Sequence, residues 1–261
     1  MLLSLRRIGT SKVMTESLKR LPDQIKSVMN ESNPITLTTF PNKIEKVVIN
    51  GMGGSNLGGY IIQSLFKNRI KVPVLIEPGY TVPAYVDKST LYIISSYSGT
   101  TEEPLATYKT AKRQGAMVAI ISSDQESPLK KLAKKERVPA YFFSTAANPS
   151  NQPRIGLGYS VAAFLAIFKS LNLLKINKKE INNVINQLKR KNTFYLKSRN
   201  EIERLAKKLN NREVILVSGP LLEGNLRVIR NQWCETGKNF ASYLVLSDMN
   251  HYSLEGLQKP S

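Results

Sequence analysis

Two stretches of the chain carry residue types and spacings suited to holding an anion. In "VVINGMGGSNLGGY", Val47 to Tyr60, a strand-like run breaks into five glycines within nine positions, then resumes at helical spacing through Leu57, Tyr60, Ile61 and Leu65. This pattern is that of a strand, a tight loop and a helix start. The free N–H groups and the dipole of a first helical turn attract an anion, and glycine lets that anion approach the main chain. In "IISSYSGTTEEPL", Ile93 to Leu105, the hydroxyls of Ser96, Ser98, Thr100 and Thr101 surround Gly99, with Glu102 and Glu103 just beyond. One hydroxyl followed by acidic residues is ordinary helix capping. Four of them, beside a Gly-Gly-Ser loop on an earlier strand, favour a phosphate pocket closed by helix N–H groups.

Nucleotide chemistry fits less well. A dinucleotide fingerprint needs G-x-G-x-x-G and an acidic residue roughly 20 positions later. Glu77, closing "VPVLIE", could take the ribose, but Gly51-Met52-Gly53-Gly54-Ser55-Asn56 lacks the third glycine in register. No Gly-Lys-Ser/Thr follows a glycine-rich turn, which excludes a P-loop.

The elements that would position these loops follow from hydrophobic pattern. From Lys46 onward short apolar runs alternate with amphipathic ones: "KVVIN", a helix over Ser55 to Lys67, "VPVLIE", "LYIISS", a helix over Thr101 to Gln114, "MVAIIS", a short basic helix, and "AYFFS". Such alternation predicts a parallel sheet covered by helices on both faces, with ligands beyond the carboxyl ends of the strands. After Pro153 the pattern predicts helices over Arg154 to Leu174, Lys178 to Lys191 and Phe194 to Leu209. A second α/β unit opens with "EVILVSGPLLEGNLRVIRNQW", and only "EVILVS" and "ASYLVL" read as its strands.

Composition sets the outer bounds. At 261 residues and 41% hydrophobic content the chain can bury real cores, which argues against global disorder. The formal charge of +19 raises the question of a nucleic-acid partner. The basic runs "KKLAKKER", "KINKKE" and "LKRKN" are interleaved with apolar residues at helical spacing, as on solvated helix faces. With no zinc-finger spacing, aromatic RNA-binding signature or basic tail, neither specific nucleic-acid binding nor a membrane partner is expected. Cys234 is the single cysteine and reads as a packed thiol. No apolar run is long enough to span a membrane, and the start "MLLSLRRIGTSK" lacks a signal-peptide pattern, so a cytoplasmic protein is expected.

The motifs "GMGGSNLGG", "SYSGTTEE", "NQPRIGLG", "CETGK" and "DMNHYSLEG" occur in the order and approximate spacing of one family. Over about Val13 to Gly256 the chain resembles the bifunctional phosphoglucose/phosphomannose isomerases, within the sugar-isomerase (SIS) domain superfamily. The resemblance implies an α/β protein of two sugar-isomerase-type lobes, each a parallel sheet flanked by helices. Expected boundaries are a helical segment at 1–45, a first lobe at 46–175 and a second, shortened lobe at 176–261. It further implies a homodimer with a shared active site, no metal or organic cofactor, and reversible conversion of glucose 6-phosphate or mannose 6-phosphate to fructose 6-phosphate.

Moving a proton between C1 and C2 through a cis-enediol needs a base that serves both carbons, a cation near the developing oxyanion, and an acid/base for ring opening. By resemblance Glu235 is the proton-transfer base, Arg154 steadies the enediolate, and His251 assists ring opening from its own or the neighbouring subunit. Gly54, Ser55, Ser96, Ser98 and Thr101 match the phosphate-holding residues, and Thr100 stands where the family usually has Asn. Family members commonly continue past the segment matching "NHYSLEG", adding a strand, a helix and a lysine near the ring oxygen. A second sheet with an unpaired edge is therefore expected here.

Overall fold

The computed structural model describes residues 12–30 and 40–256. Residues 12–19 are helical and lead into α1 (Leu21–Asn30). Of the helical segment expected over 1–45, residues 1–11 and 31–39 lie outside the described residues, and residues 40–45 are not helical. The chain then runs through β1 (Lys46–Gly51), α2 (Gly54–Leu65), β2 (Val74–Ile76), β3 (Thr90–Ser96), α3 (Glu102–Arg113), β4 (Met117–Ser123), α4 (Pro128–Glu136) and β5 (Ala140–Phe143). These strands form one parallel sheet in the order β2-β1-β3-β4-β5.

Apolar residues fill both faces of this sheet, and the twofold alternation of strand side chains sorts them. Val47, Ile49, Leu91, Ile93, Ala119 and Ile121 pack with Ile25 and Val28 of α1 and with Phe164 and Phe168 of a later helix. Val48, Tyr92, Ile94, Val118 and Ile120 pack with Tyr108 and Ala111 of α3 and Leu129 and Ala133 of α4. The register, with Val48 opposite Tyr92 and Tyr92 opposite Val118, keeps each set on one side. The expected α/β fold, a parallel sheet flanked by helices, is what forms.

The helical stretch differs from expectation at two points. The helix predicted from Arg154 is broken into a single 3₁₀ turn, Pro153–Ile155, and α5 (Leu157–Ser170), with Gly156 between them. Gly156, at φ −81° and ψ 25°, leaves helical geometry at the break, and the position admits only glycine because a Cβ there would lie 2.5 Å from the Tyr97 ring. The predicted pause between Lys191 and Phe194 is absent. Asn192 and Thr193 are weak helix formers, but without Gly or Pro they do not end a helix, and α6 (Lys178–Lys197) runs through them. An Asn177/Glu180 capping box, with both hydrogen bonds at 2.8 Å, fixes its start. α7 (Arg199–Leu209) follows after Ser198 and buries none of its residues.

A second sheet pairs β6 (Val214–Ser218) and β7 (Ala241–Val245) in parallel, connected through the 3₁₀ turn Pro220–Leu222 and α8 (Glu223–Gly237). α9 (Leu246–Gly256) follows directly. Ile215 and Val217 on β6 remain 50% and 44% exposed, so one face of this strand is uncovered among the described residues. α8 reaches back to the first unit, where Val228 packs with Leu57 and Ile61 of α2. Among the described residues no helix is long and apolar enough to cross a membrane.

Candidate active site

In the order β2-β1-β3-β4-β5, the chain leaves β1 toward one edge of the sheet and β3 toward the other. Their carboxyl ends, paired through Gly51 and Ser95, flank the point where such sheets bind ligands. Both candidate loops emerge there, and each feeds a helix N-terminus that favours negative charge.

The first loop is shaped mostly by the chain itself. A Cβ on Gly54 would lie 2.7 Å from the Arg154 backbone N, and one on Gly58 2.4 Å from Ser160 Oγ. Gly51 has Ser95 O at 2.4 Å from the same position. Gly53 differs: it caps α2 at φ 50° and ψ −124°, with nothing within 4 Å of where a side chain would be. Its conformation disfavours any residue with a side chain, and open space lies in front of it.

The hydroxyls divide into two kinds. Ser55 Oγ accepts from the Tyr97 N–H at 2.9 Å, stapling the first loop to the second. Ser96 Oγ accepts from the Gly99 N–H at 3.1 Å and shares a hydrogen bond of 2.9 Å with Thr101 Oγ1. Both serines are buried. Ser98 and Thr100, 2.9 Å apart between hydroxyls, are exposed at the loop's outer edge. Thr101 takes the N-cap position of α3 without a side-chain capping bond, its hydroxyl being committed to Ser96. Glu102 accepts from Tyr80 Oη at 3.4 Å. Glu77 accepts from Tyr85 Oη at 2.6 Å.

The chain brings Arg154 and Glu235 together from distant positions. Arg154 Nη1 lies 3.3 Å from Glu235 Oε2, with the arginine side chain 11% and the glutamate 44% exposed. The rest of the guanidinium is also held: Nη1 donates to Gln152 Oε1 at 2.8 Å and Nε to Thr236 Oγ1 at 2.8 Å. Gln232 Nε2 donates to the Arg154 carbonyl at 3.0 Å, tying α8 to the 3₁₀ turn. Because that turn abuts Gly54, the ion pair sits beside the first loop. A carboxylate, a fixed cation and two helix N-termini can together hold an anionic substrate and move one of its protons.

His251 lies exposed on α9 and makes no hydrogen bond to Arg154 or Glu235 among the described residues. Cys234 is half-buried, its Sγ 3.9 Å from the Ala241 carbonyl. No cluster of His, Cys, Asp and Glu among the described residues could hold a metal ion.

Sequence reasoning passed over Gln152, Thr236, Gln232, Tyr97 and Asn148. Asn148 Nδ2 donates to Tyr97 Oη at 2.8 Å and to the Gln152 carbonyl at 3.0 Å. Burial pushes the Tyr97 phenol up to about 12, so it stays protonated within this network. The signal available was position: three of the five flank Arg154 or Glu235 within one helical turn or less, and Tyr97 lies inside the hydroxyl-rich loop.

Comparison with known proteins matches the SIS domain over residues 42–147, the first sheet and both loops. A bifunctional phosphoglucose/phosphomannose isomerase of Caldicellulosiruptor bescii is 34% identical over 256 residues, covering 95% of this chain and 73% of that protein. One of Aquifex aeolicus is 29% identical over 215 residues, covering 82% and 62%. Among solved structures, tagatose-6-phosphate ketose/aldose isomerase from Escherichia coli superposes with a TM-score of 0.68 at 17% identity, over 93% of this chain and 69% of that one, a likeness of fold. The chain belongs to the bifunctional phosphoglucose/phosphomannose isomerase family.

Proposed function

We propose that this protein is an aldose–ketose isomerase interconverting glucose 6-phosphate, mannose 6-phosphate or both with fructose 6-phosphate. The observation that carries the reading is the contact of Arg154 with Glu235, 3.3 Å apart, beside the N-terminal turn of α2. Family membership supplies the reaction class.

In this reading the phosphate rests against Gly54 and Ser55 and the loop from Ser96 to Thr101, the exposed Ser98 hydroxyl being its direct donor. Ser55, Ser96 and Thr101 act by holding the loops in register. Glu235 takes the proton from C2 of the aldose and returns it to C1, leaving a cis-enediol between the two steps. Arg154 balances the charge that grows on the substrate oxygens. His251, exposed on α9, assists ring opening in its own or the neighbouring subunit of a homodimer. Cytoplasmic residence and independence from metal or organic cofactors belong to the same proposal.

The test is a coupled assay that follows glucose 6-phosphate and mannose 6-phosphate formed from fructose 6-phosphate. Turnover to either product supports the assignment. Binding of fructose 6-phosphate with no turnover would make the protein a sugar-phosphate sensor and overturn it.

A further inference from the structure

The Arg154 guanidinium carries five N–H groups in a fixed plane. Nε–H is taken by Thr236 Oγ1, and Nη1 by Gln152 Oε1 and Glu235 Oε2. Nη2 has no acceptor among the described residues. Two of the three restraints come from neutral groups on separate elements, the segment before the 3₁₀ turn and the last turn of α8. Gln152 is itself anchored: its carbonyl accepts from Asn148 Nδ2, which also donates to Tyr97 Oη. The Tyr97 N–H donates to Ser55 Oγ at the start of α2. Hydrogen bonds relayed through the covalent frames of Tyr97 and Gln152 therefore link the first loop to the guanidinium, and Asn148 and Tyr97 within this path are buried.

We propose that Gln152 and Thr236 are positioning residues that fix the plane of the Arg154 guanidinium so that its Nη2 edge alone meets the substrate oxygens, in register with the phosphate loops. Neither side chain needs to touch substrate. The consequence is specific: the network acts on the chemical step, where oxyanion charge develops and orientation counts most, and only weakly on ground-state binding. The inference rests on the isomerase reading above.

The experiment measures kcat and KM for fructose 6-phosphate, inhibition by inorganic phosphate, and thermal midpoint for Thr236→Val, Thr236→Ser, Gln152→Ala and Arg154→Gln. Thr236→Val and Gln152→Ala are expected to lower kcat by about 10- to 100-fold, with KM and phosphate inhibition within about threefold of wild type. Thr236→Ser, which keeps the acceptor, is expected to restore kcat to within about threefold. Full kcat in Thr236→Val and Gln152→Ala beside an inactive Arg154→Gln overturns this inference and leaves the isomerase reading standing. Loss of kcat matched by an equal fall in thermal midpoint, without rescue by serine, also overturns it, because the role is then structural. A fully active Arg154→Gln overturns this inference by removing Arg154 from the mechanism, whereas absence of turnover in the wild type overturns the isomerase reading itself.

Discussion

Gly224 meets the main chain of Tyr60. A Cβ at 224 would stand 2.4 Å from the Tyr60 carbonyl oxygen, and the Gly224 N–H donates to Ser64 Oγ at 3.1 Å. The Arg227 guanidinium, one turn further along α8, lies 4.4 Å from the centre of the Tyr60 ring. This approach seats α8 on α2, and Glu235 is carried about three turns further along the same helix. Gly224→Ala is expected to overpack the junction, costing about 1 to 3 kcal/mol, and to lower kcat as Glu235 moves from Arg154. Urea denaturation and steady-state kinetics check this; wild-type values in both would show that the helices part freely.

Glu235→Gln keeps the shape of the side chain and removes its capacity to accept a carbon-bound proton. The expected outcome is a fall in kcat of about 10² to 10⁴-fold with phosphate inhibition retained. Turnover close to wild type would remove Glu235 from the mechanism.

Two serines in the candidate pocket should respond in opposite ways. Ser98→Ala takes an exposed hydroxyl from the loop and is expected to weaken sugar-phosphate binding by about 1 to 3 kcal/mol with stability unchanged. Ser55→Ala leaves the buried Tyr97 N–H without its acceptor and is expected to cost about 1 to 3 kcal/mol of folding stability. Isothermal titration with inorganic phosphate and fructose 6-phosphate, alongside denaturation, separates the two. Failure of phosphate to compete with fructose 6-phosphate would displace the pocket.

Asp87 offers a pH-dependent test of the sheet. Its carboxylate accepts from the Ser89 hydroxyl at 2.8 Å and from Lys46 Nζ at 3.0 Å, bridging β1 to the turn before β3. The hydrogen bonds from Ser89, followed by that from Lys46, hold this carboxyl well below the usual carboxylate range. A lowered folded-state pKa contributes stability that is present above the unfolded value of about 3.9 and is lost as pH falls. Asp87→Asn is expected to melt below wild type at neutral pH, the gap closing as the solution is taken from about pH 5 toward pH 2. A gap independent of pH would mean that the amide, not the charge, is responsible.

Much of the fold was legible because parallel strands buried on two faces leave apolar runs. "VVI" of β1 and "YIISS" of β3 need no long-range information to be read. The glycines were legible as demanding close approach, but their partner was not. Gly54 and Gly58 admit the backbone of Pro153 and Arg154 and the start of α5, contacts set by tertiary packing. Thr101 satisfies every local rule for a helix cap, yet its hydroxyl turns to Ser96 once the loop closes. The pairing of Arg154 with Glu235 has no periodic signature, since it joins a turn to a helix end across the two sheets. Family resemblance supplied those residues, and packing supplied Gln152 and Thr236.

The uncovered face of β6 bears on how the molecule comes apart. A sheet of two strands with Ile215 and Val217 half in water has far less burial resisting local opening than β1 and β3, whose apolar residues are fully enclosed. Amide hydrogens of β6 and β7 should therefore exchange with solvent well ahead of those in the five-stranded sheet. Since α8 is strung between these two strands, Glu235 rides on the softer portion while the hydroxyl-rich loop belongs to the harder one. On warming, catalysis would fade while the sugar-phosphate cradle still stood, giving the protein separate thermal limits for turnover and for ligand capture.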